Sequence, residues 1–162
     1  MSGRRRVYVV TQLSPAAPSA VFELLADGAG WSRWAAPLIS RSWWEREGTP
    51  PPGGVGAVRR VGRPPLISRE EIVEYLPARR HAYRVRSGLL PIRDYLATVD
   101  LAPVDGGTEI VWQGSFVPLV PGTGALLAGV LKFFTARLAR RLARAAAAGP
   151  QPGPAATPPA TA

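Results

Sequence analysis

Six side chains in the middle of the chain have the types that acid–base or ligand-holding chemistry needs: Glu70, Glu74, His81, Tyr83, Arg93 and Tyr95. Glu70 or His81 could act as acid or base, Tyr83 or Tyr95 could donate a hydrogen bond, and Arg93 could hold an anionic or carbonyl group. Their spacing matches no catalytic signature, so none is assigned as catalytic; Arg93, Tyr95, Tyr83 and His81 stand as candidates. Each also has a plain structural reading. Glu74 and His81 adjoin a hairpin turn, where strand ends are solvated or paired. Arg93 follows Pro91 at a strand start, from which its head can reach water.

The elements that would position these groups are two hairpins. In "EYLPARRHAY", period-2 alternation puts Ile72, Glu74 and Leu76 on one face with His81, Tyr83 and Val85. Arg69, Glu71, Arg80, Arg84 and Arg86 take the other face, which must be wet. The inner face thus holds Glu70, Glu74 and His81, groups that need a partner, water or a cavity mouth. In "GGTEIVWQGSF", Ile110, Trp112 and Phe116 form an apolar stripe interrupted by Gly114. Matching Leu101 with Ile110 across "APVDGG" sets Val99 opposite Trp112, Ala97 opposite Gly114 and Tyr95 opposite Phe116. Thr98, Asp100, Glu109 and Gln113 face solvent. The small pair Ala97 and Gly114 has two readings. It is a hollow roofed by a helix, or it marks a bulge, a bend or the close approach of a side chain.

Around these hairpins the pattern reads β, two helices, six strands and a long helix. Arg5–Leu13 is the first strand, and Ser14-Pro15 opens a helix whose apolar face is Val21, Phe22, Leu24 and Leu25. Trp31 and Trp34 fit one short turn closed by Pro37. Strands follow near Leu38–Glu45, Val55–Val61, Leu66–Leu76, Arg79–Ser87, Ile92–Leu101 and Thr108–Val117, and their short connections imply an antiparallel meander. The last helix, Gly124–Ala148 with Thr123 as N-cap, would run about 37 Å. Its stripe is Leu127, Leu131, Phe134, Leu138 and Leu142, with Arg137, Arg140, Arg141 and Arg144 on the remaining arc.

A length of 162 residues with 46% hydrophobic content fits one domain, residues 1–148, followed by a disordered Pro/Ala-rich tail, 149–162. The absence of cysteine excludes disulfides, thiolate catalysis and Cys-ligated zinc, and a single histidine excludes a His-rich metal site within one chain. No metal and no cofactor is expected. The net charge of +9 comes from 20 basic residues, all but Lys132 arginine. They are dispersed (Arg4–Arg6, Arg59–Arg60, Arg79–Arg80, Arg137–Arg144), and read as solvated surface charge rather than as a nucleic-acid site. The apolar run after Arg6 is too short for a signal peptide. Phe116–Leu131, broken by Pro118, Pro121 and Gly122, falls below the ~18 residues of a membrane span. A cytoplasmic protein is expected.

In order, "SPAAPSAVFELLAD", "WSRWAAP", "VGAVRRV", "EEIVEYLPARRHAYRV" and "VDLAPVDGGTEIVW" with a Pro-flanked approach to the last helix resemble the START-like (SRPBCC) superfamily, in its polyketide cyclase/dehydrase and lipid transport branch. The resemblance covers about Arg5 to Ala146. It implies an α+β helix-grip fold, β-α-α-β6-α, in which a curved antiparallel sheet wraps the C-terminal helix around a mostly apolar cavity. It favours the hollow at Ala97 and Gly114. The expected lining is Trp31, Trp34, Tyr83, Val85, Tyr95, Ala97, Val99, Trp112, Gly114 and Phe116, closed by Leu127, Leu131 and Phe134. Members bind lipids, sterols or polyketides, and some cyclise or aromatise polyketide chains. The expectation is a binding module for a hydrophobic or amphipathic small molecule, with an aromatase/cyclase-like enzyme as the alternative. A transient contact of the Arg-rich helix end with anionic membrane is a further possibility for partners. Ligand, reaction and oligomeric state are left open.

Overall fold

A computed structural model describes residues 4–149. The expected tail, beyond Gly149, lies outside the described residues. The strands are β1 (Arg6–Ser14), β2 (Arg41–Arg46), β3 (Val58–Arg63), β4 (Leu66–Leu76), β5 (Arg80–Ser87), β6 (Ile92–Val104) and β7 (Gly107–Pro118). The helices are α1 (Pro18–Ala26), the single turn α2 (Trp31–Trp34) and α3 (Gly124–Ala147), with a 3-10 turn at Gly28–Gly30 before α2. All strands join one antiparallel sheet in the order β1-β7-β6-β5-β4-β3-β2. Chain neighbours pair throughout β2 to β7, as short connections dictate. Only β1 pairs at long range, returning to β7.

The turn between α1 and α2 is set by one carboxylate. Asp27 Oδ1 accepts from the Gly30 backbone N–H at 3.1 Å, and Oδ2 pairs with Arg33 at 2.6 Å. A Cβ on Gly30 would come within 2.1 Å of that carboxylate, so the residue has to be glycine. This tight turn aims Trp31 and Trp34 at the concave face of the sheet, where both are buried.

The β6–β7 register has Leu101 opposite Ile110, Val99 opposite Trp112 and Ala97 opposite Gly114, as parity requires. It breaks between Arg93 and Leu96, where Asp94 takes a left-handed φ of 52° and the expected Tyr95–Phe116 pair gives way to a bulge. Tyr95 stays buried but Arg93, two residues earlier, is exposed. A second bulge, between Ile72 and Glu74, flips the turn end of β4. Tyr75 therefore pairs with His81 on the inner face, while Glu74 and Leu76 move outward. Glu74 is bound by Arg80 at 2.5 Å, and Arg80 also reaches Asp100 at 2.8 Å, so Glu74 is not an interior group.

Helix α3 packs chiefly on β1, β7 and α1. Its buried seam is Leu131, Thr135, Leu138, Leu142 and Ala146, flanked by Ala139 and Ala143. Phe134, expected in that seam, lies one position off it and is 36% exposed. Small Ala residues let the helix approach the sheet closely and carry Thr135, rather than Phe134, into the interior. Thr123 does occupy the N-cap position, but its hydroxyl donates to the Val120 carbonyl at 2.8 Å instead of capping the helix.

Candidate functional site

The interior contains two buried polar groups separated by aromatic rings. The first is built on β3 and β4. Register pairs Arg59 with Glu70, and both side chains face inward. Arg59, read from sequence as surface charge, has no solvent exposure. Its Nε donates to Glu70 Oε2 at 2.9 Å, and Nη2 lies 2.9 Å from the same oxygen as an ionic contact rather than an aligned hydrogen bond. Glu70 Oε1 accepts from Ser68 Oγ at 2.9 Å. The guanidinium sits 3.8 Å from the Trp31 ring centroid and 4.7 Å from that of Tyr83. Burying two charges this deeply is tolerable only because each has an opposite charge and the cation also lies on π-faces. Gly28 makes room for this packing: a Cβ there would come 2.5 Å from Trp44 and 3.0 Å from Arg59.

The second group links the sheet to α3. Tyr8 Oη lies 2.5 Å from Tyr95 Oη and 3.0 Å from Thr135 Oγ1. Tyr8 stands opposite Gly114 in the β1–β7 register, and a Cβ on Gly114 would come 2.3 Å from its ring. The gap in the β7 stripe therefore exists to admit the Tyr8 ring. Of the two readings of Ala97 and Gly114, the close approach of a side chain holds at this spot, and the expected hollow above the pair is filled by tyrosine. A single cross-strand row, Ile72, Tyr83, Ala97, Gly114 and Tyr8, thus runs large, large, small, small, large, and the last ring folds back over the small pair.

Trp31, against the Arg59 guanidinium, is the centre of an aromatic cluster. Its ring is 4.9 Å from Trp34, 5.9 Å from Trp112 and 6.2 Å from Tyr83, and its Nε1 donates to the Leu25 carbonyl at 3.1 Å. Trp34 Nε1 and both nitrogens of His81 are buried without a protein partner. Trp112 Nε1 is within electrostatic reach of the Tyr83 hydroxyl but makes no aligned hydrogen bond. Such groups are rare in protein interiors.

The titration of the interior follows from burial. His81 is enclosed by the rings of Phe22, Tyr75 and Tyr83, and burial, reinforced by the Arg59 charge, pushes its pKa down to about 3. It is neutral at physiological pH. Burial also raises Tyr8, Tyr83 and Tyr95, the last two well above the ordinary phenol value.

Of the residues expected to line a cavity, Trp31, Trp34, Tyr83, Tyr95, Ala97, Val99, Trp112, Phe116 and Leu131 fall in one buried cluster, against which Val85 and Leu127 are partly buried. Gly114 is buried beneath Tyr8. Two expected residues are not brought in: Phe134 stands at the rim and Arg93 is on the surface. Sequence reasoning missed Arg59, Tyr8 and Thr135. Glu70 on an inner face was the available signal for Arg59, since a buried carboxylate calls for a cation on a neighbouring strand.

Solved structures with this architecture include Ara h 8.0201 (TM-score 0.73, 16% identity, covering 90% of this chain and 100% of that one). They also include the Zhui aromatase/cyclase from Streptomyces sp. R1128 (TM-score 0.71, 20% identity, 90% and 99% covered). At these identities the likeness is one of fold. Among curated proteins, uncharacterized proteins of Mycobacterium tuberculosis H37Rv and Mycobacterium bovis are each 28% identical over 97 residues, 59% of this chain. The match spans 56%, about half, of the length of those relatives. The family model described as polyketide cyclase / dehydrase and lipid transport matches residues 5–148. With that match over most of its length, the chain belongs to the polyketide cyclase / dehydrase and lipid transport family.

Proposed function

We propose that the protein binds a largely apolar, oxygen-bearing small molecule, lipid- or polyketide-like, between the sheet and α3. The observation that carries this reading is the set of buried polar atoms without an aligned hydrogen bond, namely Trp34 Nε1, Trp112 Nε1 and the His81 nitrogens. An indole N–H can only donate, so the complement of Trp34 and Trp112 is an acceptor oxygen such as a carbonyl or carboxyl. The walls around them, Trp31, Tyr83, Val99 and Phe116, are aromatic or aliphatic and suit an apolar body. Burying that body contributes roughly 25 cal/mol per Å², enough for binding without any catalytic group.

Binding has better support than aromatase/cyclase-like turnover. His81 is neutral, and its ring nitrogens have no protein hydrogen-bond partner. Both oxygens of Glu70 are engaged, and the buried tyrosines hold their protons. Neither His81 nor the buried tyrosines are poised to move a proton near neutrality. The test is native mass spectrometry and solvent extraction of the purified protein, followed by titration with a long-chain fatty acid and a hydroxyanthraquinone, read by tryptophan fluorescence. Saturable quenching by either probe, weakened in Trp112→Phe, is expected. A protein that retains nothing and quenches with neither probe refutes the reading. Turnover of a poly-β-ketone that collapses in Tyr95→Phe while binding persists would move the assignment to the enzyme.

A further inference from the structure

The first half of α3 carries a large apolar surface that the fold leaves uncovered. Leu126, Val130 and Phe133 are 70%, 51% and 65% exposed. At spacings of four and three residues they share one helical face, opposite the buried seam. Arg137, Arg140 and Arg144 continue the same face toward the C-terminus, all exposed, and the Arg137 guanidinium lies 5.4 Å from the Phe133 ring centroid. Two exposed apolar loops adjoin the start of the helix. Leu119 and Val120 precede the helix, and the Leu119 N–H donates to the Pro91 carbonyl at 2.9 Å. That bond draws in the loop bearing Leu89 and Leu90, and all four side chains are exposed.

Charge selects the occupant. From Phe116 to Gly149 the chain has no acidic residue and five basic ones, Lys132, Arg137, Arg140, Arg141 and Arg144. An apolar patch of this extent on a free surface calls for a partner. A cation-rich helix segment without acidic residues fits one whose own surface is anionic. We propose that this face docks on an anionic lipid bilayer. Leu126, Val130, Phe133 and the two leucine-bearing loops lie among the upper acyl chains, and Arg137, Arg140 and Arg144 lie at the phosphate level. No helix of the described residues is long and apolar enough to cross a membrane, so the contact is interfacial.

The test is flotation of the whole protein with vesicles of phosphatidylcholine alone or with about a third phosphatidylglycerol, the anionic lipid supplying the surface potential. The expected result is retention on the anionic vesicles only, weakening as salt shortens the screening length from ~10 Å toward ~3 Å. Leu126→Ser/Phe133→Ser, which removes two large apolar side chains from the face, is expected to weaken retention about tenfold or more. Arg137→Gln/Arg140→Gln is expected to do the same, at about fivefold per basic residue, equivalent to ~1 kcal/mol each near an anionic surface. These positions are exposed, so unchanged circular dichroism and unchanged fatty-acid quenching show that the interior is intact and keep this result separate from the small-molecule reading. Absence of flotation with anionic vesicles, or retention indifferent to the Leu126/Phe133 pair, overturns the proposal. So does a solution dimer that these substitutions dissociate, since a second copy would then cover the face.

Discussion

A neutral histidine sealed among rings has a measurable consequence for stability. His81 titrates near its ordinary 6.5 in the unfolded chain and at about 3 in the folded one. Between those values the unfolded state binds a proton that the folded state refuses, so protonation favours unfolding and stability rises with pH across this window. The contribution is fully present above about pH 6.5 and is lost progressively as pH falls toward 3. At about 1.4 kcal/mol per pH unit, the loss attributable to His81 is about 2 kcal/mol at pH 5, growing to about 4 kcal/mol near pH 3. His81→Phe keeps a ring among Phe22, Tyr75 and Tyr83, whose centroids lie 6.1, 6.4 and 6.3 Å away. It also removes two nitrogens that have no protein partner. Denaturant unfolding followed by circular dichroism from pH 7.5 down to 4, on wild type, His81→Phe and the smaller His81→Leu, reads the difference directly. Both variants are expected to shed the same acid-dependent increment, so that wild type loses about 1.4 kcal/mol more per pH unit below 6. Curves that run parallel at all pH values would show that His81 is solvated or charged in the fold, and the account of the interior would fail with it.

Two further outcomes follow from the buried contacts. Arg59→Leu strands Glu70 without its cation and is expected to cost about 3–5 kcal/mol, whereas Arg59→Leu/Glu70→Leu recovers most of it; thermal unfolding of the four members of this cycle measures the coupling. Gly114→Ala drives a methyl to 2.3 Å from the Tyr8 ring and must push that ring off Tyr95 and Thr135. A loss of about 1–3 kcal/mol is expected, most of it absent when the substitution is made in Tyr8→Ala; a neutral single variant would show that Tyr8 does not fill the gap.

Element order, the limits of β4 and α3, and the β6–β7 register were legible along the chain. These depend on local periodicity: two residues per strand repeat, 3.6 per helical turn, and a tight turn that leaves one choice of pairing. The same logic failed at two bulges. An extra residue near Val73 turned Glu74 outward and Tyr75 inward, and another at Asp94 separated Arg93 from Tyr95. A bulge leaves no mark in hydrophobic alternation, because it shows only against a partner strand.

The chain by itself determined that β7 would have a gap at Gly114, that Glu70 would lie on an inner face, and that α3 would bear an apolar stripe with an arginine-rich end. What occupies the gap, what neutralises the carboxylate and which side of α3 is left bare were decided by the tertiary structure. Tyr8 reaches Gly114 only because β1 closes on β7, Arg59 reaches Glu70 only through the β3–β4 register, and Thr135 rather than Phe134 turns inward only because small residues seat α3 against β1. These pairings join residues far apart along the chain. Their energies depend on which surfaces meet, so local patterns can state the need for a partner but cannot supply its identity.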